Sequence, residues 1–139
     1  MKISLSKRDV VQASSGVVGT LNTNTQFTGE FVYQLSRNKR YLEPEAKSVR
    51  EGEDVNLKAF RDRLKEMGCE NGRPKDVYDV VFEQFKEDID NNDKYLDEKV
   101  EIEIYPISVE SFTKEKGIPS LFGEWMYPLI VEKYDKKTA

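Results

Sequence analysis

The sequence predicts a mainly helical α+β fold: a long central helix, shorter helices packed on it, and a small antiparallel strand pair. Three observations carry that reading. Phe27, Phe31, Leu35, Leu42, Ala46, Val49, Leu57, Phe60, Leu64 and Met67 recur in steps of three or four once Asn38 and Glu53 fill the gaps. That is the period of a single helical stripe. Val100, Ile102 and Ile104 alternate with Glu101, Glu103 and Tyr105, the period of a half-buried strand. Lys2 to Leu5 places Ile3 and Leu5 on one face, which makes it the natural antiparallel partner of that strand.

Taken in order, the first strand gives way to a helix at Ser6, an N-cap followed three residues later by Asp9. Val10, Val11, Ala13, Val17, Val18 and Leu21 supply its apolar face. Gly16, Gly19 and the β-branched residues make it a poor isolated helix that needs tertiary packing. The small residues Ala13, Ser14, Ser15 and Gly16 suit close approach of another element within the fold.

After the polar link Asn22 to Gln26 comes the periodic stretch Phe27 to Met67. As one helix it would be about 60 Å long, against roughly 30 Å for a small domain. Pro44 and Gly52 lie inside it as breakers, yet the stripe keeps phase across both. The expectation is a kinked but continuous helix, with a break at Pro44 or near Gly52 as the alternative. An i,i+4 pair between Asp54 and Lys58 is expected to support helix beyond Gly52. Gly68 is placed to end the helix, and Glu70 to Lys75 (ENGRPK) reads as a turn joining two helices.

Asp76 is expected to cap a second amphipathic helix bearing Tyr78, Val81, Phe82, Phe85 and Ile89, ending within Asp90 to Asp93. Pro106 stops the later strand. Ser108 to Lys116 reads as a short helix with a Ser108-x-x-Ser111 cap, closed by Gly117. Pro119 opens a last helix with Leu121, Phe122, Trp125, Met126, Leu129 and Ile130, shortened or bent by Pro128. The organisation expected is one domain over residues 1–132 and a polar tail over 133–139.

Composition narrows the function classes. Charged residues make up 35% and apolar ones 37%, while 11% aromatics argue against disorder. A formal charge of −4 gives no general attraction to nucleic acid or anionic lipid. Cys69 is alone, so no intramolecular disulfide can form; the opening MKISLSKRDVV has no apolar signal core, and no apolar run reaches membrane-spanning length. The expectation is a soluble chain, intracellular where it is made, with no membrane partner.

Catalytic patterns are wanting. There is no histidine, no G-x-S-x-G elbow and no phosphate-binding glycine loop. Asp88, Asp90 and Asn92 match positions one, three and five of a calcium loop. Asp93 stands where its glycine is needed and Lys99 where its bidentate glutamate is needed, so a solvated helix end and turn is the reading. Glu101 and Glu103 are the wet side of their strand. The expectation is a non-enzyme with no cofactor and no metal.

The candidate sites are therefore contact surfaces. A stripe longer than short helices can cover should leave apolar residues for a partner, and Phe31, Leu35, Leu42 and Val49 are the candidates. Trp125, Met126 and Tyr127 form a second candidate set, because aromatics and methionine are enriched in interface cores. Self-association into a homo-oligomer is expected from the same stripe. The alternative is nucleic-acid binding through Lys39, Arg40, Arg61 and Arg63. Glu43, Glu45, Glu51, Glu53, Asp54 and Asp62 on the same stretch weigh against it.

The order of motifs carries a resemblance. An MKI-x-L start and small-residue helix precede Gly29-x-Phe31-Val32-Tyr33-x-Leu35 and Leu42-Glu43-Pro44-Glu45; Met67-Gly68, Lys99-Val100-Glu101-Ile102-Glu103-Ile104 and a closing helix follow. Over residues 1–131 this resembles a group of small, functionally uncharacterised proteins of tailed bacteriophages and prophages. The resemblance implies a phage setting: the cytoplasm of an infected bacterium, or the virion. There the chain would be an accessory or connector subunit touching phage structural proteins, or would bind a host factor. The alternative in that setting is a small nucleic-acid-associated regulator. It implies no active-site residue.

Overall fold

The computed structural model describes residues 1–131. The proposed tail over 133–139, with Glu132, lies outside the described residues. Where the sequence reads as one domain, the contacts group into two compact units, residues 1–47 with 99 onward, and Ser48–Glu98. The class is the expected one, mainly helical α+β, with a small antiparallel strand pair and one long helix.

The first unit opens with β1 (Lys2–Ser6) and α1 (Lys7–Leu21). Ser6 caps α1 as its spacing predicts, its Oγ accepting from the Asp9 N–H at 3.1 Å. β1 pairs antiparallel with β2 (Lys99–Glu103) in a register that sets Ile3 opposite Ile102 and Leu5 opposite Val100. The apolar faces of both strands therefore coincide, and the glutamates face away from the core.

The long helix α2 runs Gly29–Asn56. Thr28 caps it, accepting from the Phe31 N–H at 3.3 Å. Neither Pro44 nor Gly52 divides it. The proline ring is exposed on the helix surface, and the stripe residues around it stay on the buried side. The end of α2 comes instead at Leu57, whose φ of −105° and ψ of 6° depart from helical values before α3 (Lys58–Glu66) begins. Because the Leu57 and Arg61 N–H groups still bond four residues back, at 2.9 Å each, the apolar phase survives this bend. The sequence signal was therefore continuous where the helix is not.

The core of the first unit joins Val10, Ala13 and Val17 of α1 to Phe31, Leu35, Leu42 and Ala46 of α2, with Ile102 and Ile104. After β2 the chain forms β3 (Ile107–Ser108), α6 (Val109–Lys114) and α7 (Ser120–Trp125). A 3₁₀ turn, Tyr127–Leu129, then leads to β4 (Ile130–Val131). Pro119 is the N-cap just before α7 rather than a residue of its first turn, and Pro128 sits in the 3₁₀ turn that follows the short helix, as its expected shortening requires. Ile130, expected in the last helix, instead pairs in parallel with Ile107. Two-residue strands carry too little periodicity to be seen in sequence.

The second unit contains the last turns of α2, then α3, α4 (Lys75–Gln84) and α5 (Lys86–Asp97). α3 ends in a Schellman motif: the Gly68 N–H bonds Lys65 O at 3.1 Å and the Cys69 N–H bonds Leu64 O at 2.9 Å. Asn71 and Gly72 have φ of 54° and 75°, the left-handed pair a tight two-residue turn demands. α4 starts two residues after this turn, at Lys75 with Pro74 as its cap, rather than behind an Asp76 cap. Phe60 of α3 lies edge-on to Tyr78, Phe82 and Phe85 at 6.0, 6.2 and 6.0 Å between ring centroids.

Helix resumes at Lys86 and continues to Asp97, so Asp88, Asp90, Asn92 and Asp93 lie on a helix and not in a turn. Asn92 and Tyr95 of α5 meet Asn56 with Glu53 and Val49 of α2 respectively, so the two segments pack antiparallel. The expected Asp54–Lys58 pair does not form. Lys58, past the bend, bonds Asp62, and Asp54 pairs with Arg61.

Candidate functional site

The structure redistributes the candidate contact residues. Phe31, Leu35 and Leu42 have no exposed surface and Val49 has 2%, so none of them offers a free interface. This corrects the expectation of an uncovered stripe. Phe31, Leu35 and Leu42 are consumed in the core of the first unit, and Val49 is buried in the second, where Tyr95 donates to its carbonyl at 3.2 Å. Met126 is likewise fully buried, filled in beside α1, where the Thr20 hydroxyl lies 3.9 Å from its sulfur. Trp125 is half-buried and stacks at a tilt on Phe122 at 5.8 Å.

Tyr127 alone of the seven stands out, with 66% of its surface exposed. It is one of the residues lining a groove of about 440 Å³, with Phe112, Ile118, Pro119 and Gly123 among the others. The groove is built by α6, the link after it, and α7. Gly16 and Gly19 of α1 fix the position of α7. A Cβ at Gly16 would lie 2.9 Å from the Phe122 carbonyl oxygen, and one at Gly19 would lie 2.5 Å from the Phe122 ring. Small residues here serve intramolecular packing, as the α1 sequence suggests.

The link is held just as closely. Gly117 has φ of 90° and its missing side chain leaves room for Thr25, whose Cγ2 would be 2.7 Å from a Cβ there. Glu115 receives the Thr28 hydroxyl and, at 3.4 Å, the Thr28 N–H, so its carboxylate ties the link to the N-terminus of α2. That end is where the helix dipole favours a negative charge. Ser108 caps α6 by accepting from the Ser111 N–H at 3.1 Å, and Ser111 donates onward to Gln34 at 3.1 Å. Phe112 and Ile118 carry no periodic signal strong enough to mark them from sequence. Gly117 and Pro119 entered the sequence reading only as a helix end and a helix start.

The basic candidates divide between the two units. Lys39 is half-buried and Arg40 exposed, both in the first unit; Arg61 and Arg63 belong to the second. Arg61 pairs with Asp54 and lies 3.8 Å from Glu53, and Arg63 pairs with Glu66 at 3.1 Å. Phosphates would have to compete with these carboxylates. Cys69 is buried, with its thiol 3.8 Å from the Pro74 carbonyl. Among the described residues no group of three histidine, cysteine or acidic side chains is placed to hold a metal ion. The helical course of 86–97 takes away the loop that the calcium reading needed. None of the described helices is long and apolar enough to cross a membrane.

Compared with family models, curated proteins and solved structures, the chain gives no significant match to any of them. The site thus defines a class only at the level of surface chemistry: a groove of mixed apolar and acidic lining that includes an exposed tyrosine.

Proposed function

We propose that this chain works by binding another protein through the groove beside Tyr127, without catalysing a reaction. The observation that carries this reading is the 66% exposure of Tyr127 in the lining of a groove it shares with Phe112, Ile118 and Pro119. A rigid aromatic beside a preformed apolar hollow is the composition from which interface hot spots are built. The motif order along the sequence supports a phage setting, as a virion accessory or connector subunit or as a binder of a host protein in the infected cytoplasm. Self-association belongs to the same proposal, now with the groove rather than the α2 stripe as its contact.

The test is purification of the tagged, full-length chain from infected bacterial cells, with nuclease treatment, in native and Tyr127→Ala forms. The proposal expects a protein that survives nuclease and is lost from Tyr127→Ala. Co-purification of nucleic acid alone, unaffected by that substitution, would replace it with the regulator reading through Lys39, Arg40, Arg61 and Arg63.

A further inference from the structure

We infer that the groove takes an extended segment of a partner protein that presents a lysine or arginine next to an apolar side chain. The inference rests on the reading of this face as a protein-contact surface and adds the chemistry of what it contacts. Glu115 and Glu124 line the groove together with its apolar floor, and none of the lining residues is basic. A neighbouring hollow of about 320 Å³ shares Glu115 and adds Glu30 and Glu110. Its one cation, Lys114, is drawn to Glu110 at 3.1 Å. The linings of the two hollows, joined at Glu115, therefore hold four glutamates and one lysine, with the apolar residues confined to the first.

That combination selects for a long basic side chain. The methylenes of lysine or arginine can lie along Phe112, Ile118 and Pro119 while the charged head reaches a carboxylate. Tyr127 adds a ring face for the same cation. An acidic segment, or a phosphate backbone, would meet like charge from Glu115 and Glu124 in the groove lining. The Thr28 contacts hold Glu115 in place before any partner arrives, which lowers the ordering cost of binding.

The experiment is fluorescence polarisation on the full-length chain with two labelled peptides, Lys-Pro-Leu-Arg and its charge-reversed form Glu-Pro-Leu-Glu. The expected result is binding of the basic peptide at least about tenfold tighter than the acidic one, weakening as salt is raised. Glu124→Lys, at an exposed position, should cost the basic peptide about tenfold while leaving the circular dichroism spectrum unchanged. Equal affinities, or indifference to Glu124→Lys, overturn the inference. If neither peptide binds but native chain still holds a protein that Tyr127→Ala loses, the charge class is wrong and the contact surface stands. If no protein is held either, both fall.

Discussion

Asn38 on α2 and Tyr105 just past β2 exchange two backbone–side-chain hydrogen bonds of 2.8 Å, the Asn38 amide donating to the Tyr105 carbonyl and its oxygen accepting from the Tyr105 N–H. Asn38 is fully buried and donates also to Gln34 O at 3.0 Å. One side chain thus stands in for a strand partner where β2 has ended, which is why a polar residue interrupts the apolar stripe. Asn38→Ala should destabilise the chain by about 2–3 kcal/mol, since it leaves both Tyr105 groups without their partner. Urea unfolding would show a lower midpoint at unchanged slope. A shift worth less than roughly 0.5 kcal/mol would mean that water replaces the amide at little cost.

Gly52 is explained by Tyr95. A Cβ at Gly52 would lie 2.1 Å from the Tyr95 hydroxyl and 2.7 Å from Cζ, while that hydroxyl donates to Val49 O. Helix propensity alone favours alanine by about 0.5–1 kcal/mol. Gly52→Ala should nevertheless destabilise, by about 1–3 kcal/mol, through overpacking. In a Tyr95→Ala background the same change should turn stabilising, and thermal unfolding of the double-mutant cycle reads the reversal.

Gly16 and Gly19 differ in what they face. Gly16 approaches the Phe122 carbonyl, which cannot turn aside, whereas Gly19 approaches the Phe122 ring, which can. Gly16→Ala should therefore cost more than Gly19→Ala, with the former about 1–3 kcal/mol. Gly29→Ala, with nothing within 4 Å of the new Cβ, is the neutral control. Melting temperatures in the order Gly29→Ala, Gly19→Ala, Gly16→Ala, highest first, are the expected result.

Lys58 is held above the usual lysine pKa, first by its hydrogen bond to Asp62 at 2.7 Å and then by the charge of that carboxylate. A raised folded value means that the pair's contribution is complete below the unfolded lysine pKa and is lost as pH climbs through the folded one. Acid or neutral conditions do not touch the lysine. Asp62→Asn should bring the Lys58 titration down toward the ordinary range in NMR, and leave the melting temperature at neutral pH nearly unchanged, since both side chains are largely exposed.

Much of the fold was legible because its signals are local. Ser6 and Ser108 announced their helices, Gly68 its helix end, and the alternation at Val100 to Ile104 the paired strand. Leu57 was not legible: the bend keeps its hydrogen bonds, so no proline, glycine or phase slip marks it. The acidic run after Ile89 looked like a helix end because its polarity hides Asn92 and Tyr95, whose partners lie 36 to 46 residues away. The contact candidates failed for a related reason. An apolar stripe shows which side of a helix is buried but not what covers it, and Phe31 to Val49 found cover within the chain. Tyr127 was legible with Trp125 and Met126 as an aromatic of the kind enriched in interface cores, while its groove depends on Thr25 and Thr28, far away in sequence.

Whether this chain acts through the face bearing Tyr127 is read by photo-cross-linking in cells that produce it. Benzoylphenylalanine would replace Tyr127 in one version and Val55 in another, the latter being 76% exposed but outside the groove. A discrete protein adduct is expected from position 127 and none from position 55. Adducts from 55 with none from 127 would contradict it.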